Sequence, residues 1–263
     1  MNLMEYDTAL VRAHERVDDL QLNGLKIIQD PSGFCFGIDA VLLSSFVKVK
    51  AKHQVVEFGT GTGIIPILLS GKAKFDYLRA FEVQPEVADM ARRSIKLNKL
   101  EEQIEVIEAN LKNALDYIEP CSVDVVVSNP PYMSTHGGIK NPNDKKAISR
   151  HEILCTLEEI IEVASKILKP SGNLYMIHRP NRLADLIYLC KQNKLEPKEI
   201  RMIQPYADKR PNIFLIRCAK GGNPDLKFHD PLIVRTADGS YTQEIYDIYG
   251  MENITAFSRE RAE

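Results

Sequence analysis

The chain has 263 residues, 44% of them hydrophobic and 27% charged, with a formal net charge of −2. That suits one large or two small globular domains with an adequate core, and the total charge gives no sign of nucleic acid. The five cysteines (Cys35, Cys121, Cys155, Cys190 and Cys218) form no CxxC pair, which argues against a zinc site. Scattered thiols in odd number suit a reducing cytoplasm. The N-terminal MNLMEYDTAL has no apolar signal core, and no run approaches the roughly 18 apolar residues of a membrane span. A cytoplasmic protein without metal is expected.

Residues 1–50 read as a short β/α leader. Leu25 to Asp30 (LKIIQD) and Gly33 to Gly37 (GFCFG) are strand candidates around a turn at Pro31-Ser32-Gly33. Asp39 suits a helix N-cap, followed by the apolar stripe Val41, Leu42, Ser45, Phe46 and Val49. An alternation then begins. His53 to Phe58 is a short apolar strand, and Ile64 to Ser70 continues as a helix after a glycine-rich turn. Tyr77 to Glu82 is a second strand. Pro85 to Leu97 is a helix with proline in its first turn. Gln103 to Ala109 is a third strand, and Val123 to Ser128 is a fourth, apolar enough to be buried on both faces. Leu157 to Leu168 is an amphipathic helix, Asn173 to His178 a fifth strand and Asn181 to Gln192 a helix. Ile200 to Gln204 and Asn212 to Ala219 are late strands.

Strands alternating with helices predict a mostly parallel sheet covered on both faces. The last two strands are separated by only about seven residues, which suits an antiparallel hairpin. After Gly221 the chain reads as a short strand, a turn at Asp238-Gly239 and a last short helix. The expected division is 1–50 as leader, 51–222 as catalytic domain and 223–263 as C-terminal extension.

The turn in VVEFGTGTGIIPILLS carries Gly59, Gly61 and Gly63 at alternate positions. Such a turn lets backbone approach a ligand, and its N–H groups and the helix start suit an anionic group. A dinucleotide site wants G-x-G-x-x-G, so the third glycine comes one residue early. The G-x-G-x-G form after an acid resembles motif I of the S-adenosylmethionine methyltransferases. That resemblance implies a Rossmann-like class I methyltransferase fold, with a seven-stranded sheet and one antiparallel strand. It implies that Glu57, Gly59, Thr60, Gly61 and Gly63 cradle the methionine part of the cofactor. Glu82, with Val83, ends the second strand where an acceptor suits ribose hydroxyls. Asn110, with Leu111, follows the third strand, where the family commonly has Asp for the adenine; its carbonyl can still accept that bond.

Asn129-Pro130-Pro131-Tyr132 ends the fourth strand. N-P-P-[YF] resembles the hallmark of methyltransferases acting on a planar amino group: N6 of adenine, N2 of guanine or a glutamine amide. The chemistry accounts for these residues. A conjugated amine has a delocalised lone pair. Two acceptors, the Asn129 side-chain carbonyl and the Pro130 backbone carbonyl, can bind its hydrogens and turn the lone pair toward a methyl donor. Tyr132 offers a ring for the base to stack on.

The wider pattern, GFCFGIDAVLLSSFV, EFGTGTGIIPILLS, SNPPY, SRHEILCTLEEIIEVASKILKPSGNLYMIHRPNRL and LEPKEIRMIQP, resembles the bacterial tRNA1(Val) (adenine-37-N6)-methyltransferases, especially their Gram-positive branch. The likeness runs from about Asp18 to about Tyr249. It implies a cytosolic enzyme of tRNA modification that uses S-adenosylmethionine and binds RNA, with Pro131, Arg150 and His151 near the substrate; the sequence does not give the oligomeric state, with a monomer favoured. Positive residues outnumber negative ones between about 140 and 220, which suits a basic rim facing phosphates. Two other enzymes carry related motifs, a glutamine-N5 methyltransferase of a translation factor and a guanine-N2 RNA methyltransferase. The first usually has a helical domain ahead of the fold, and the second usually has Phe at the position of Tyr132. A non-catalytic RNA-binding module is disfavoured by the intact Asn129.

Overall fold

The computed structural model describes residues 8–33, 35–131 and 155–250. Ten strands and six helices lie in these residues: β1 (Arg16–Asp19), β2 (Lys26–Gln29), α1 (Ile38–Phe46), β3 (Gln54–Phe58), α2 (Ile64–Lys72), β4 (Tyr77–Glu82), α3 (Pro85–Leu97), β5 (Ile104–Glu108), β6 (Val123–Ser128), α4 (Leu157–Ile167), β7 (Leu168–His178), α5 (Leu183–Gln192), β8 (Leu195–Tyr206), β9 (Ile213–Lys220), β10 (Lys227–Arg235) and α6 (Gln243–Tyr249).

Strands β3 to β10 form one sheet in the order β10-β8-β9-β7-β6-β3-β4-β5. Only β9 runs against its neighbours, antiparallel to both β7 and β8. The sheet therefore has eight strands rather than the expected seven. The additional one is β10, which pairs parallel to β8 with a bulge between His229 and Leu232. Pro231 sits in that irregularity. Proline cannot donate to a ladder, so it belongs on an edge strand, and the sequence alone makes β10 look shorter and more isolated than it is.

Alternation along the strands separates two cores. Val55, Val125, Val127, Tyr175 and Ile177 face α1 and α2, while Val56, Phe58, Val126, Leu174 and Met176 face α4 and α5. The β6 run VDVVVS is buried on both sides, as a central parallel strand requires. Helix α4 begins with a capping box: Glu159 N–H donates to Thr156 Oγ1, and Thr156 N–H donates to the Glu159 carboxylate. This T-x-x-E signature is readable in the sequence.

The leader departs from expectation. β2 pairs with β1, the polar RVDD segment, not with a strand at 33–37. The turn between them is at residues 20–25, and residues 35–37 are irregular. Gly37, not Asp39, occupies the N-cap of α1; Asp39 lies in the first turn, where its charge suits the positive helix end. The leader is fastened to α3. Ile28 N–H donates to Ser94 Oγ, Lys26 N–H donates to Asn98 Oδ1, and Arg93 pairs with Glu15 at 2.6 Å.

Candidate active site

The chain order of the sheet explains where a site belongs. From β3 the chain steps outward through β4 to β5, then returns to the other side of β3 as β6. The crevice beyond the carboxyl ends of β3 and β6 is therefore a topological switch point, the favoured ligand position in open α/β sheets. Register brings the sequence-predicted residues to that edge. Phe58 pairs with Phe81 on one side and Ser128 on the other, and Glu82 pairs with Glu108. Gly59, Glu82, Ala109-Asn110 and Asn129 thus leave neighbouring strands at the same level.

The glycine turn has the conformation its residues allow. Gly59, Gly61 and Gly63 all have positive φ, at 74°, 58° and 89°. A Cβ on Gly59 or Gly61 would meet nothing within 4 Å, so the space over both is open. The third glycine differs: a Cβ on Gly63 would lie 3.5 Å from Ala91 Cβ, so its bareness serves the approach of α2 to α3. The turn is pinned to β4, since Gly59 and Thr60 both donate N–H to the Phe81 carbonyl, at 2.9 and 3.0 Å.

Glu82 completes this brace. Its Oε2 accepts from Gly61 N–H, and its Oε1 accepts from the N–H groups of Val83 and Gln84, each at 3.0 Å. A carboxylate has about four acceptor sites, so three are occupied by backbone. The sequence suggests a ligand acceptor here but does not reveal this second duty. Asn110 also has a local duty: its Oδ1 accepts from Lys112 N–H at 3.0 Å and caps the 3-10 turn Leu111–Asp116.

Glu57 is the electrostatic anomaly of the site. It is 1% exposed, and neither carboxylate oxygen has a hydrogen-bond partner. Burial pushes its pKa up to about 8. The nearby Thr60 hydroxyl moderates the rise and the Glu82 charge adds to it. Thr60 Oγ1 lies close to Glu57 but not in hydrogen-bond geometry, and it too is buried without a partner. A buried unsatisfied carboxyl is costly unless a donor or cation meets it. Glu57 and Thr60, beside an open glycine cradle, therefore fit an ammonium-bearing ligand with a small, close-lying backbone.

A recess adjoins the cradle, lined by Phe58, Gly59, Phe81, Glu82, Val83, Ala109, Asn110, Leu111, Ser128, Pro130, Pro131, Cys155 and Ile160. It gathers most of the residues predicted around the cofactor and two of the motif prolines. Phe58, Phe81, Ser128, Cys155 and Ile160 were not legible as site residues, because long-range packing brings them there. The Cys155 thiol is kept protonated: burial, helped by the Glu159 charge, raises its pKa to about 12. Pro130 is buried and Pro131 exposed, so the motif turns outward between them. Tyr132, Arg150 and His151 lie outside the described residues.

His178 is a further rim residue. β6 and β7 pair Ser128 with Met176, which puts His178 level with Pro130. Its ring stacks on Phe214 at 6.4 Å. Arg179 N–H donates to His178 Nδ1 at 2.8 Å, so the ring proton of the neutral form is on Nε2. Burial, with the Arg182 charge, lowers its pKa to about 4. It is neutral at pH 7 and adds no charge to a basic rim.

Several of the basic residues between 155 and 220 are engaged with other parts of the protein. Arg217 pairs with Glu199 at 2.8 Å and Arg201 with Glu244 at 2.6 Å. Lys198 donates to the Asn223 carbonyl and Lys220 to that of Leu168. Among the described residues, no group of three or more His, Cys, Asp or Glu is arranged to hold a metal ion, and no helix is long and apolar enough to cross a membrane.

Comparisons with known proteins bear on the family and the fold. A tRNA1(Val) (adenine(37)-N6)-methyltransferase of Parabacteroides distasonis is 25% identical over 196 residues, covering 74% of this chain and 81% of the relative. One from Porphyromonas gingivalis is 28% identical over 216 residues, covering 79% and 84%. The crystal structure of a predicted O-methyltransferase from Agrobacterium tumefaciens superimposes with a TM-score of 0.66 at 25% identity, over 81% of this chain and 96% of that one. The model of the methyltransferase small domain matches residues 25–187, more than half of the sequence, and the chain belongs to that family.

Proposed function

We propose that this protein transfers the methyl group of S-adenosylmethionine to N6 of an adenine in tRNA, the adenine at position 37 beside the anticodon. The observation that carries the proposal is the shared level of two strand ends. The open glycine turn after β3 and Asn129-Pro130 after β6 leave adjacent strands that pair Phe58 with Ser128. The relatives named above act on that nucleotide by their names. The quoted motifs further suggest the Gram-positive branch of that family and a cytoplasmic enzyme.

S-adenosylmethionine supplies an electrophilic methyl on a sulfonium sulfur. Glu57 and Thr60 take its ammonium end, and Gly59 and Gly61 let its methionine part lie against bare backbone. Glu82 holds the turn in shape through its backbone bonds and offers its remaining acceptor site to the ribose. Val83, Asn110 and Leu111 form the adenine end.

On the other side of the crevice, the Asn129 carbonyl and the Pro130 backbone carbonyl accept the two amine hydrogens of the target base. The nitrogen becomes pyramidal, and its lone pair leaves the ring system. As the N–C bond forms, the methyl–sulfur bond would break to leave S-adenosylhomocysteine. Positive charge develops on nitrogen and both acceptor bonds strengthen, which stabilises the transition state more than the ground state. The acidified nitrogen then gives up one proton to solvent. The prolines fix the convergence of the two carbonyls, so little reorganisation remains. Tyr132 and Pro131 hold the base, a stacking interaction worth roughly 1–3 kcal/mol. Arg150 and His151 supply contacts to the RNA on this reading. An adenine in a loop can splay out without opening a duplex, which lowers the cost of entry.

The test is incubation of the purified protein with labelled S-adenosylmethionine, tRNA and total cell protein, followed by nucleoside analysis. N6-methyladenosine in the tRNA is expected. Label in a protein band, with none in tRNA, would replace adenine by a glutamine amide as the acceptor; label in N2-methylguanosine would replace it by guanine.

A further inference from the structure

We propose that the tip of the β8–β9 hairpin, residues 207–212, is a phosphate-binding wing that guides the RNA toward the target pocket from one side only. The inference rests on the tRNA reading above. Its geometric basis is the reversed direction of β9. Because β9 runs antiparallel to β7, its start lies at the carboxyl edge of the sheet, and Phe214 pairs with His178. The turn that precedes Ile213 therefore stands on the same edge as Asn129 and Pro130. β9 is two positions from β6 in the sheet and β8 is three. At about 4.8 Å between strands, the tip is ~10–15 Å from the motif, the reach of a few nucleotides.

The tip is braced to that edge. Arg179, one residue beyond β7, donates from Nη1 to the Asn212 carbonyl at 3.0 Å, and Gln204 donates from Nε2 to the Lys209 carbonyl at 2.7 Å. Its charges are outward and weakly committed. Lys209 and Arg210 are both exposed. Arg210 has no partner among the described residues, and Lys209 meets only its exposed neighbour Asp208, at 3.1 Å. An exposed pair of that kind is held by little. Arg182 adds a positive charge near the end of β7, shared with Asp185.

The opposite half of the edge has the reverse character. It presents the exposed Glu86, and Lys112 there is matched by Glu159 at 3.3 Å. A polyanion is repelled from the β4–β5 side and attracted to the β8–β9 side. The strand carrying the target base thus approaches over the hairpin, and the far half is left to the cofactor.

The experiment is steady-state methyl transfer with tRNA varied at saturating cofactor, across a range of salt, for wild type and the pairs K209Q/R210Q and K209E/R210E. Lys166→Gln, at the opposite edge of the sheet, is the control. We expect the tRNA KM to rise about tenfold for the neutral pair and further for the reversed pair, with kcat within about twofold. The slope of log affinity against log salt should become shallower by about 1–2. Cofactor affinity and melting temperature should match wild type, as should the control in every measurement. Wild-type KM and salt slope in both pairs would overturn the wing while leaving the methyltransferase reading intact. A wild-type protein inert on tRNA overturns that reading and the wing with it.

Discussion

Two buried acids, one in each half of the sheet, are treated in opposite ways. In the half built from β3, β4 and β5, both Glu57 oxygens and the Thr60 hydroxyl are buried without a hydrogen-bond partner. In the half built from β7 to β10, Glu199 is nearly as buried, yet it is surrounded. Lys48 lies at 3.2 Å, Arg217 at 2.8 Å and His229 at 2.7 Å, and Arg217 also reaches Asn173. Burial pushes the Glu199 carboxyl up, but hydrogen bonds from His229 and Lys48 and the charges of Arg217 and Lys48 outweigh it and hold the pKa at about 2. One acid is raised and the other depressed. The contrast separates a place prepared for a ligand from a place that fastens strands together.

Three measurements can break or sharpen that contrast. The largest effect belongs to Asn129, whose acceptor carbonyl is used only as charge develops. Asn129→Ala is expected to lower kcat by roughly 10²–10³-fold, the scale of losing one transition-state hydrogen-bonding group. Cofactor affinity by calorimetry should stay within about twofold. Weakened cofactor binding with unchanged turnover at saturation would remove Asn129 from the amine clamp.

Next comes Glu199. Its removal leaves Arg217, Lys48 and His229 close together with no acid between them. Glu199→Ala should cost about 2–3 kcal/mol of folding stability, below the range for fully buried pairs because the partners keep some solvent contact. Because the folded-state pKa is depressed, the stabilisation is present above about 4.5 and is lost as the pH falls toward about 2. Urea unfolding at pH 7 and pH 3 measures both, with the gap between variant and wild type narrower at the lower pH. Loss of cofactor affinity in this variant would show that the two halves are not separate.

The smallest effect is carried by Glu57, and its sign is opposite. Its carboxyl is neutral in the free protein below about 8, against an ordinary value of 4.5. The stabilisation due to its bound proton is complete below about 4.5 and gone once the pH has risen past about 8. An ammonium-bearing ligand favours the ionised form, so binding S-adenosylmethionine near pH 7 should release a proton. Affinity should climb by up to about tenfold per pH unit toward pH 8. Calorimetry in buffers of different ionisation enthalpy reads the proton directly. Glu57→Gln should abolish the release, and a pH-independent wild-type affinity would exclude this acid from the ammonium site.

Much of the cofactor half is written locally, which is why it can be read from sequence. Short valine-rich strands, three alternating glycines and a polar residue at each strand end act within a few positions of one another. Their register follows from the parallel pairing of short strands. The other half depends on distant partners. β1 is a polar RVDD segment that becomes a strand only by pairing with β2, and β10 carries a proline and gains its ladder from β8. Glu82 has an acceptor's position in sequence, but its hold on Gly61 appears only when the turn folds back. Cys155 and Ile160 reach the recess through the placement of α4, which no local pattern encodes. The basic excess was visible as a count, and ion pairing decides which of those charges remains outward.

The bulge at Asp230-Pro231 also bears on how the chain avoids its own copies. β8 is a twelve-residue strand, long enough to template another chain if its outer edge were bare. β10 covers it, and the break in β10 between His229 and Leu232 leaves an interrupted outer edge in which Pro231 has no N–H to offer. During synthesis β8 and β9 emerge before β10, so the hairpin passes through an interval in which that edge is open. Protection of that edge in the nascent protein is thereby tied to β10, a strand remote from the methyl-transfer chemistry.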